Sequence, residues 1–346
     1  MDMIKNKPFL TDEKVDDFTA EDFVFVHRNE ELLDEAYTAT SYAKDVWMHF
    51  KKNKGAVLGA IIIIAIILLA IIGPMISGYK ADAINLDVQS LPPRIQGIYK
   101  LGIFSGYEKG VDQYAAHGVS QAFYWFGTDT NGRDLFTRVW EGTRVSLIIA
   151  LSAVVIDIVI GMSYGLISGY FGGKVDMVMQ RFMEILNGIP TLVVVTLLGL
   201  VLPPGIISIV FALMITGWIG MARISRAEVL KLKESEFILA SRTLGAKNFS
   251  IIFKEVMPNI FGQLIVMSMF SIPNAIFTEA FLSFVGLGIQ APDASLGSLI
   301  SDGYKSLTGH PHIIMSAIIV LALLMLSFNL FADGIRDAFD PNQKQR

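Results

Sequence analysis

The sequence predicts an all-α integral membrane protein with six transmembrane helices and both termini in the cytoplasm. Hydrophobic residues make up 53% of the 346 and charged residues only 17%, which is more apolar surface than one soluble core hides. The apolar residues gather in runs of about 20, the length of a helix that crosses a hydrocarbon core. Lysine and arginine concentrate in alternate loops, as the positive-inside bias requires.

The elements follow in order. Residues 1–40 are acid-rich, with Asp12, Glu13, Asp16, Asp17, Glu21, Asp22, Glu30, Glu31, Asp34 and Glu35, and read as a solvated cytosolic tail. In 41–54, Tyr42, Val46, Trp47 and Phe50 fall on one side of a helix, which suits an elbow lying in the membrane interface. The first span is 55–76, "GAVLGAIIIIAIILLAIIGPMI", preceded by Lys51, Lys52 and Lys54. It begins too late to be a signal peptide. Residues 77–141 form a long extracytoplasmic segment whose aromatics, among them Tyr99, Phe104, Tyr114 and Tyr124, are expected either to pack as a small outer cap or to touch a receptor.

A core of five further spans occupies 142–335: Val145–Gly169, Ile185–Leu202, Gly205–Met221, Phe261–Phe284 and Ile313–Phe331. Only Pro203 and Pro204 separate the third span from the fourth, so a tight turn between antiparallel helices is expected. Inner loops carry the cations: Lys174 and Arg181 in 170–181, then Arg223, Arg226, Lys231, Lys233, Arg242, Lys247 and Lys254 in 222–260. The tail 336–346 ends the chain inside.

Several function classes drop out. With no cysteine, disulfides, thiolate metal sites and cysteine nucleophiles are excluded. A net charge of −4 with no basic stripe gives no nucleic-acid surface. The nearest approach to a phosphate-binding G-x-x-x-x-G-K-[ST] is Gly173-Lys174, with Ser168 in place of the first glycine and Val175 where Ser or Thr should follow. No nucleotide, metal or other cofactor is therefore expected on this chain, and no catalytic residues, since serines and histidines are scattered. "GTDTNGRD" at 127–134 reads as a turn held by Asp and Arg hydrogen bonds rather than a metal site, and His310 and His312 as solvated.

Two intramembrane acids remain. Asp157 lies within the second span, where a central charge costs about 2.5–3.5 kcal/mol, so it must face protein or water. A hydrogen-bonded helix-packing role is favoured over contact with a solute. Glu279 either lines a passage or anchors the "FLSFVGLG" bend, and both readings stay open. Arg181 and Glu184 read as interfacial anchors.

The loop 222–260 is the richest in local signals. Ser235 is placed to cap a helix beginning at Glu236, with Phe237, Ala240 and Leu244 on one face. Gly245 takes the left-handed position that ends it. Asn248 is placed to cap a second short helix from Phe249 to Val256, and Pro258 to mark the entry to the fifth span. The result is a compact helical hairpin whose apolar strip wants a protein partner.

"LASRTLGAKNFSIIFKEVMP", 239–258, resembles the EAA loop of bacterial ABC importer permeases. Ala240, Gly245 and Pro258 match its pattern; Leu239 and Ser241 replace the outer two letters, Glu255 takes the isoleucine position and Met257 the leucine position. "FGTDTNGRDLFTRVWEGTRVSL" (126–147), "GWIGMARISRAEVLKLKESEF" (217–237) and "TEAFLSFVGLGIQAPDASLG" (278–297) are similar to the second permease subunit of oligopeptide and dipeptide importers, a group that includes nickel importers. The likeness covers about 42–340. It implies a type I ABC importer permease fold, and a translocation path shared with a second homologous permease. It further implies two cytosolic ABC ATPase subunits that bind ATP and Mg, and an extracytoplasmic peptide-binding protein. Coupling to the ATPases would fall on Phe237, Ala240, Ser241, Leu244, Gly245, Lys247 and Pro258. Peptide is favoured over nickel because no cluster of His or carboxylates lines a span. A rival of another class is a stand-alone carrier or channel, against which Asp157 has no evident counterpart in the other half.

Overall fold

The computed structural model describes residues 42–203 and 205–339; the acidic stretch 1–40 and the tail beyond 339 lie outside them. The chain divides into two compact units, 1–45 and 46–346. Of the first, the described residues are only the opening of α1 (Tyr42–Lys52). The second unit is a helical bundle.

Among the described residues, five helices are long and apolar enough to cross a membrane, or six where a bent pair is counted as one span. They are α2 (Lys54–Ser77), α3 (Leu135–Phe171), the pair α4 (Gly173–Asn187) and α5 (Thr191–Leu198), α6 (Ile206–Leu232), α8 (Asn248–Phe284) and α10 (His312–Phe339). Two shorter helices are α7 (Glu236–Thr243) and α9 (Leu296–Lys305).

α2 is apolar all round, yet only Ala56, Gly59, Ile63, Ile66, Ala70 and Gly73 are buried. Their alternating spacing of three and four marks one helical stripe. Small residues on that stripe let backbones meet: a Cβ on Gly59 would stand 2.7 Å from the Ser327 carbonyl oxygen of α10. Asn53 closes the helix start, accepting from the Ala56 N–H at 3.1 Å and donating to Asp337 at 3.0 Å. Near the other end, Pro74 lacks the N–H that would reach the Ala70 carbonyl. Arg144 of α3 supplies the substitute, its Nε and Nη2 donating to that oxygen at 3.3 and 2.9 Å.

Three expectations need correction. The second span begins at Leu135, well before the apolar run. Arg138, Glu141 and Arg144 hide this first stretch from a hydropathy scan, but Leu135, Phe136, Val139 and Trp140 are buried all the same. The third span is not one straight helix from Ile185 to Leu202, because α4 and α5 meet at 74°. α4 ends at Asn187, and Pro190, with no N–H to donate, cannot continue it. The link to the fourth span is not a two-residue turn either: α5 ends at Leu198 and α6 starts at Ile206.

On the side where α2 ends and α3 begins, the connecting segment folds as a small cap. Val88, Leu91, Tyr114 and Tyr124 form its core, with a hairpin of β1 (Tyr107–Glu108) and β2 (Val111–Asp112) at its edge. The Arg94 guanidinium lies 4.8 Å from the ring centres of Tyr99 and Tyr114 and 5.5 Å from that of Phe123, a cation held on aromatic faces. Burial pushes the Tyr124 phenol up to about 12 and raises that of Tyr114 as well.

The "GTDTNGRD" turn fastens this cap to the bundle. Asp129 Oδ1 accepts from the Asn131 and Arg133 N–H groups at 2.9 Å each, and Arg133 Nε donates to Asp129 Oδ2 at 2.6 Å. Asp134 caps α3, accepting from the Thr137 N–H at 2.9 Å. Burial raises its pKa against the pull of those bonds. Arg138, 1% exposed, donates to the carbonyls of Ala81 at 3.0 Å and Pro292 at 3.3 Å. One side chain thereby joins α3, the cap and the loop before α9.

Candidate functional site

The charged loop between α6 and α8 folds onto the end of α3 and still presents an apolar face. Ser235 precedes α7, and its hydroxyl donates to the Leu232 carbonyl at 2.6 Å instead of capping the new helix. Its end is a Schellman motif. Gly245, at φ +83°, donates to the Arg242 carbonyl at 3.0 Å, and the Ala246 N–H reaches the Ser241 carbonyl at 3.1 Å. That left-handed glycine fixes the direction in which the chain leaves α7.

The expected second short helix does not exist as a separate element. Asn248 opens a helix that continues to Phe284, with a π turn over Ile252–Val256. The wider turn lets the Met257 N–H pair with the Ile252 carbonyl, so Pro258, which lacks an N–H, is carried inside a continuous helix. Nor does Asn248 cap; its Oδ1 accepts from the Tyr170 hydroxyl at 3.1 Å.

Two features seat the hairpin and two more hold the helices behind it. Ile238, Ile251, Ile252 and Val256, all fully buried, pack with Leu166, Met221 and Val229. The Arg242 guanidinium lies 4.8 Å from the Tyr170 ring centre. Arg226 of α6 donates to both carboxylate oxygens of Asp176 in α4, at 2.7 and 2.5 Å, and Ser168 adds a hydroxyl to the same carboxylate. Finally, Gly161, Gly165 and Gly169 bring α3 against the α6 backbone; a Cβ on Gly165 would be 2.8 Å from the Arg226 nitrogen, and one on Gly169 2.9 Å from the Arg226 carbonyl oxygen. Backbones this close leave no room for independent movement.

The opposite face of the hairpin is uncovered. Phe237 is 44% exposed, Leu244 88% and Phe249 62%, and Ala240, Gly245 and Lys247 are exposed beside them. Ser241 is half-buried, and Pro258 stands exposed two turns along α8 from the hairpin. The structure thus brings Phe237, Ala240, Leu244, Gly245 and Lys247 to one end, with Pro258 apart from them. Sequence reasoning missed Asp176, Tyr170 and the glycine row. The row at spacing four was a visible small-residue signal; the Asp176–Arg226 pair, 50 residues apart, left none.

The two intramembrane acids sit differently. Asp157 opens a π-helical turn, Asp157–Met162, in α3 and is buried. It lines a cavity of about 50 Å³ with Ser271, Asn274 and Thr278 of α8. Glu279 of α8 is fully buried and accepts from Ser146 of α3 at 2.7 Å and from Ser283 at 2.8 Å, while Ser283 also accepts the Ile289 N–H at 3.1 Å. It therefore ties α3 to the bend after α8.

A family model described as "Binding-protein-dependent transport system inner membrane component" matches residues 161–345. The chain belongs to that family. A second model, "N-terminal TM domain of oligopeptide transport permease C", matches residues 41–93 of this permease. The dipeptide transport system permease protein DppC of Bacillus subtilis (strain 168) is 41% identical over 92% of this chain and 91% of its own. The corresponding protein of Lactococcus lactis subsp. cremoris (strain MG1363) is 45% identical over 90% and 93%. The oligopeptide transport system permease protein OppC of Bacillus subtilis is 42% identical over 87% and 90%. An inward facing structure of the methionine ABC transporter MetNI aligns at 18% identity and a TM-score of 0.49, covering 59% of this chain and 97% of that one. This permease is a multi-pass protein of the cell membrane.

Proposed function

We propose that the permease is the non-catalytic membrane half of an ATP-driven peptide importer. It forms the translocation path with a second, homologous permease and receives oligopeptides or dipeptides from an extracytoplasmic binding protein. Two cytosolic ATPase subunits carry the ATP and Mg. The relatives named for dipeptide and oligopeptide transport support the substrate class. The lysines and arginines around α7 support placing the hairpin, and with it both termini, in the cytoplasm.

The observation that carries the coupling role is the contrast within α7. Ile238 and the Tyr170–Arg242 contact fix the helix to the end of α3, while Phe237, Ala240 and Leu244 offer a free apolar strip. A helix held rigidly on one side and open on the other can seat in a groove of a moving partner and hand that movement to the span behind it. Gly245 sets its angle. Asp157 and Glu279 act within the bundle, the first beside the polar residues of α8, the second as an anchor of the bend.

The test is Gly245→Pro in the reconstituted transporter. The expected result is loss of solute-stimulated ATP hydrolysis with normal membrane insertion. Unchanged stimulation contradicts the reading, as does uptake by this chain in liposomes without ATPases.

A further inference from the structure

A groove of about 360 Å³ runs along the bundle between α2 and α3. Ala70 and Ala150, 1% and 2% exposed, form its floor; Ile67, Ile71, Ile148 and Leu151, between 37% and 66% exposed, form its walls. The polar side chain in its lining is Arg144. The volume falls in the range of small-molecule sites, about 300–1,000 Å³.

Arg144 lies nine residues into α3, counted from Leu135, in the part of the helix nearer the cap. It immediately precedes the apolar run that opens at Val145. Its partner Ala70 lies seven residues inside the end of α2 at Ser77, about 10 Å at 1.5 Å per residue. From there Ile148 and Leu151 carry the groove toward the bilayer centre.

The guanidinium has N–H groups to spare. Of five, two are spent on the Ala70 carbonyl that Pro74 leaves open. Among the described residues Arg144 makes no ion pair, although Glu141 is one turn away on the same helix. A hydrocarbon chain alone gains little by entering such a groove, because lipid tails are as apolar as leucine. Selectivity has to come from the polar end, and a guanidinium matches a phosphate in fork geometry.

We propose that this groove holds one membrane phospholipid from the leaflet on the cap side, its phosphodiester on Arg144 and an acyl chain over Ala70 and Ala150. The lipid bridges α2 and α3 where Pro74 breaks the backbone ladder. A helix of a second protein is the competing occupant, and it would leave the Arg144 charge without a counterion unless it brought a carboxylate.

The experiment is native mass spectrometry of the intact transporter complex, released from detergent and titrated with phosphatidylglycerol. Wild type is expected to retain one phospholipid per copy of this chain. Arg144→Gln should lower that retention by about fivefold or more, through loss of the charge-assisted contact. Ile148→Trp, which fills the groove from an exposed wall, should lower it too, whereas Ile61→Trp, outside the groove on α2, should not. Equal retention in wild type, Arg144→Gln and Ile148→Trp overturns the proposal. So does a photo-crosslinking side chain at Leu151 that captures the second permease instead of lipid. Should Arg144→Gln fail to assemble, Ile148→Trp and the crosslink decide.

Discussion

Each end of the bundle is fastened by an aspartate and an arginine, but the surroundings differ. At the cap, the side chains of Asp129, Arg133 and Arg138 are 5%, 6% and 1% exposed, and the arginines also bind main-chain carbonyls or share the carboxylate. At the hairpin, Asp176 and Arg226 are 15% and 30% exposed. A desolvated network cannot lose one member without leaving another charge or carbonyl unpaired in a dry site. A pair open to water can exchange its partner for solvent at small cost. The cap turn holds α3 through a dry network, and the hairpin end holds α3 to α6 by backbone contact and α4 to α6 by a pair that water reaches.

The comparison breaks most visibly at Arg138. Arg138→Met should cost about 1–3 kcal/mol for each of the two carbonyls, Ala81 and Pro292, that it leaves without a donor in a dry site, and appear as a marked fall in thermal stability in detergent. A loss under about 1 kcal/mol would mean that the cap turn is no tighter than the hairpin clamp. Gly165→Leu comes next. Its side chain meets the Ala222–Arg226 backbone, and overpacking there should cost about 1–3 kcal/mol, read as lower melting temperature and reduced yield of assembled complex. Arg226→Gln should cost about 1–2 kcal/mol, because the partly exposed pair is bidentate, yet weaken coupling between ATP hydrolysis and uptake. An unaltered coupling ratio would demote the clamp to a surface contact. Smallest in stability is Leu244→Asp: the site is 88% exposed, so the change should stay within about 0.5 kcal/mol while binding of the ATPase subunits is lost.

The cap also differs in its response to alkali. Burial pushes the Tyr124 phenol from the ordinary 10.0 up to about 12. A raised folded pKa contributes stability that is complete below the unfolded value and disappears as pH rises through the folded one. Ultraviolet titration of phenolate should therefore show the cap tyrosines ionising late, together with cap unfolding.

Much of this architecture was legible because single rules apply locally. The run 55–76 could only be a span, Gly245 could only be a left-handed stop, and the close-set Asp129 and Arg133 could pair within one turn. What escaped depends on residues far apart in the chain or on helices with mixed faces. The start of α3 carries Arg138 and Arg144, charges a hydropathy window rejects, but Arg144 serves a carbonyl freed by Pro74, 70 residues earlier, and no scan of either segment shows it. α4 hid behind Lys174, Asp176, Gln180 and Arg181, polar groups that read as loop until the helix is seen to lie against α6. Pro258 looked like a helix start because the π turn that accommodates it has no sequence mark. The exposed side of α7 was readable from spacing; its anchor was not, since Ile238 points away from the strip of Phe237, Ala240 and Leu244 toward partners on α3, α6 and α8.

The central claim is that the free face of α7 lies in the cytoplasm and is covered by an ATPase subunit. Because the chain has no cysteine, Leu244→Cys places a single thiol on that face. Its reaction with a membrane-impermeant maleimide should be absent in intact cells, rapid in inside-out vesicles stripped of the ATPases, and blocked when the ATPases are restored. Labelling in intact cells, or equal labelling with and without the ATPases, would contradict the account.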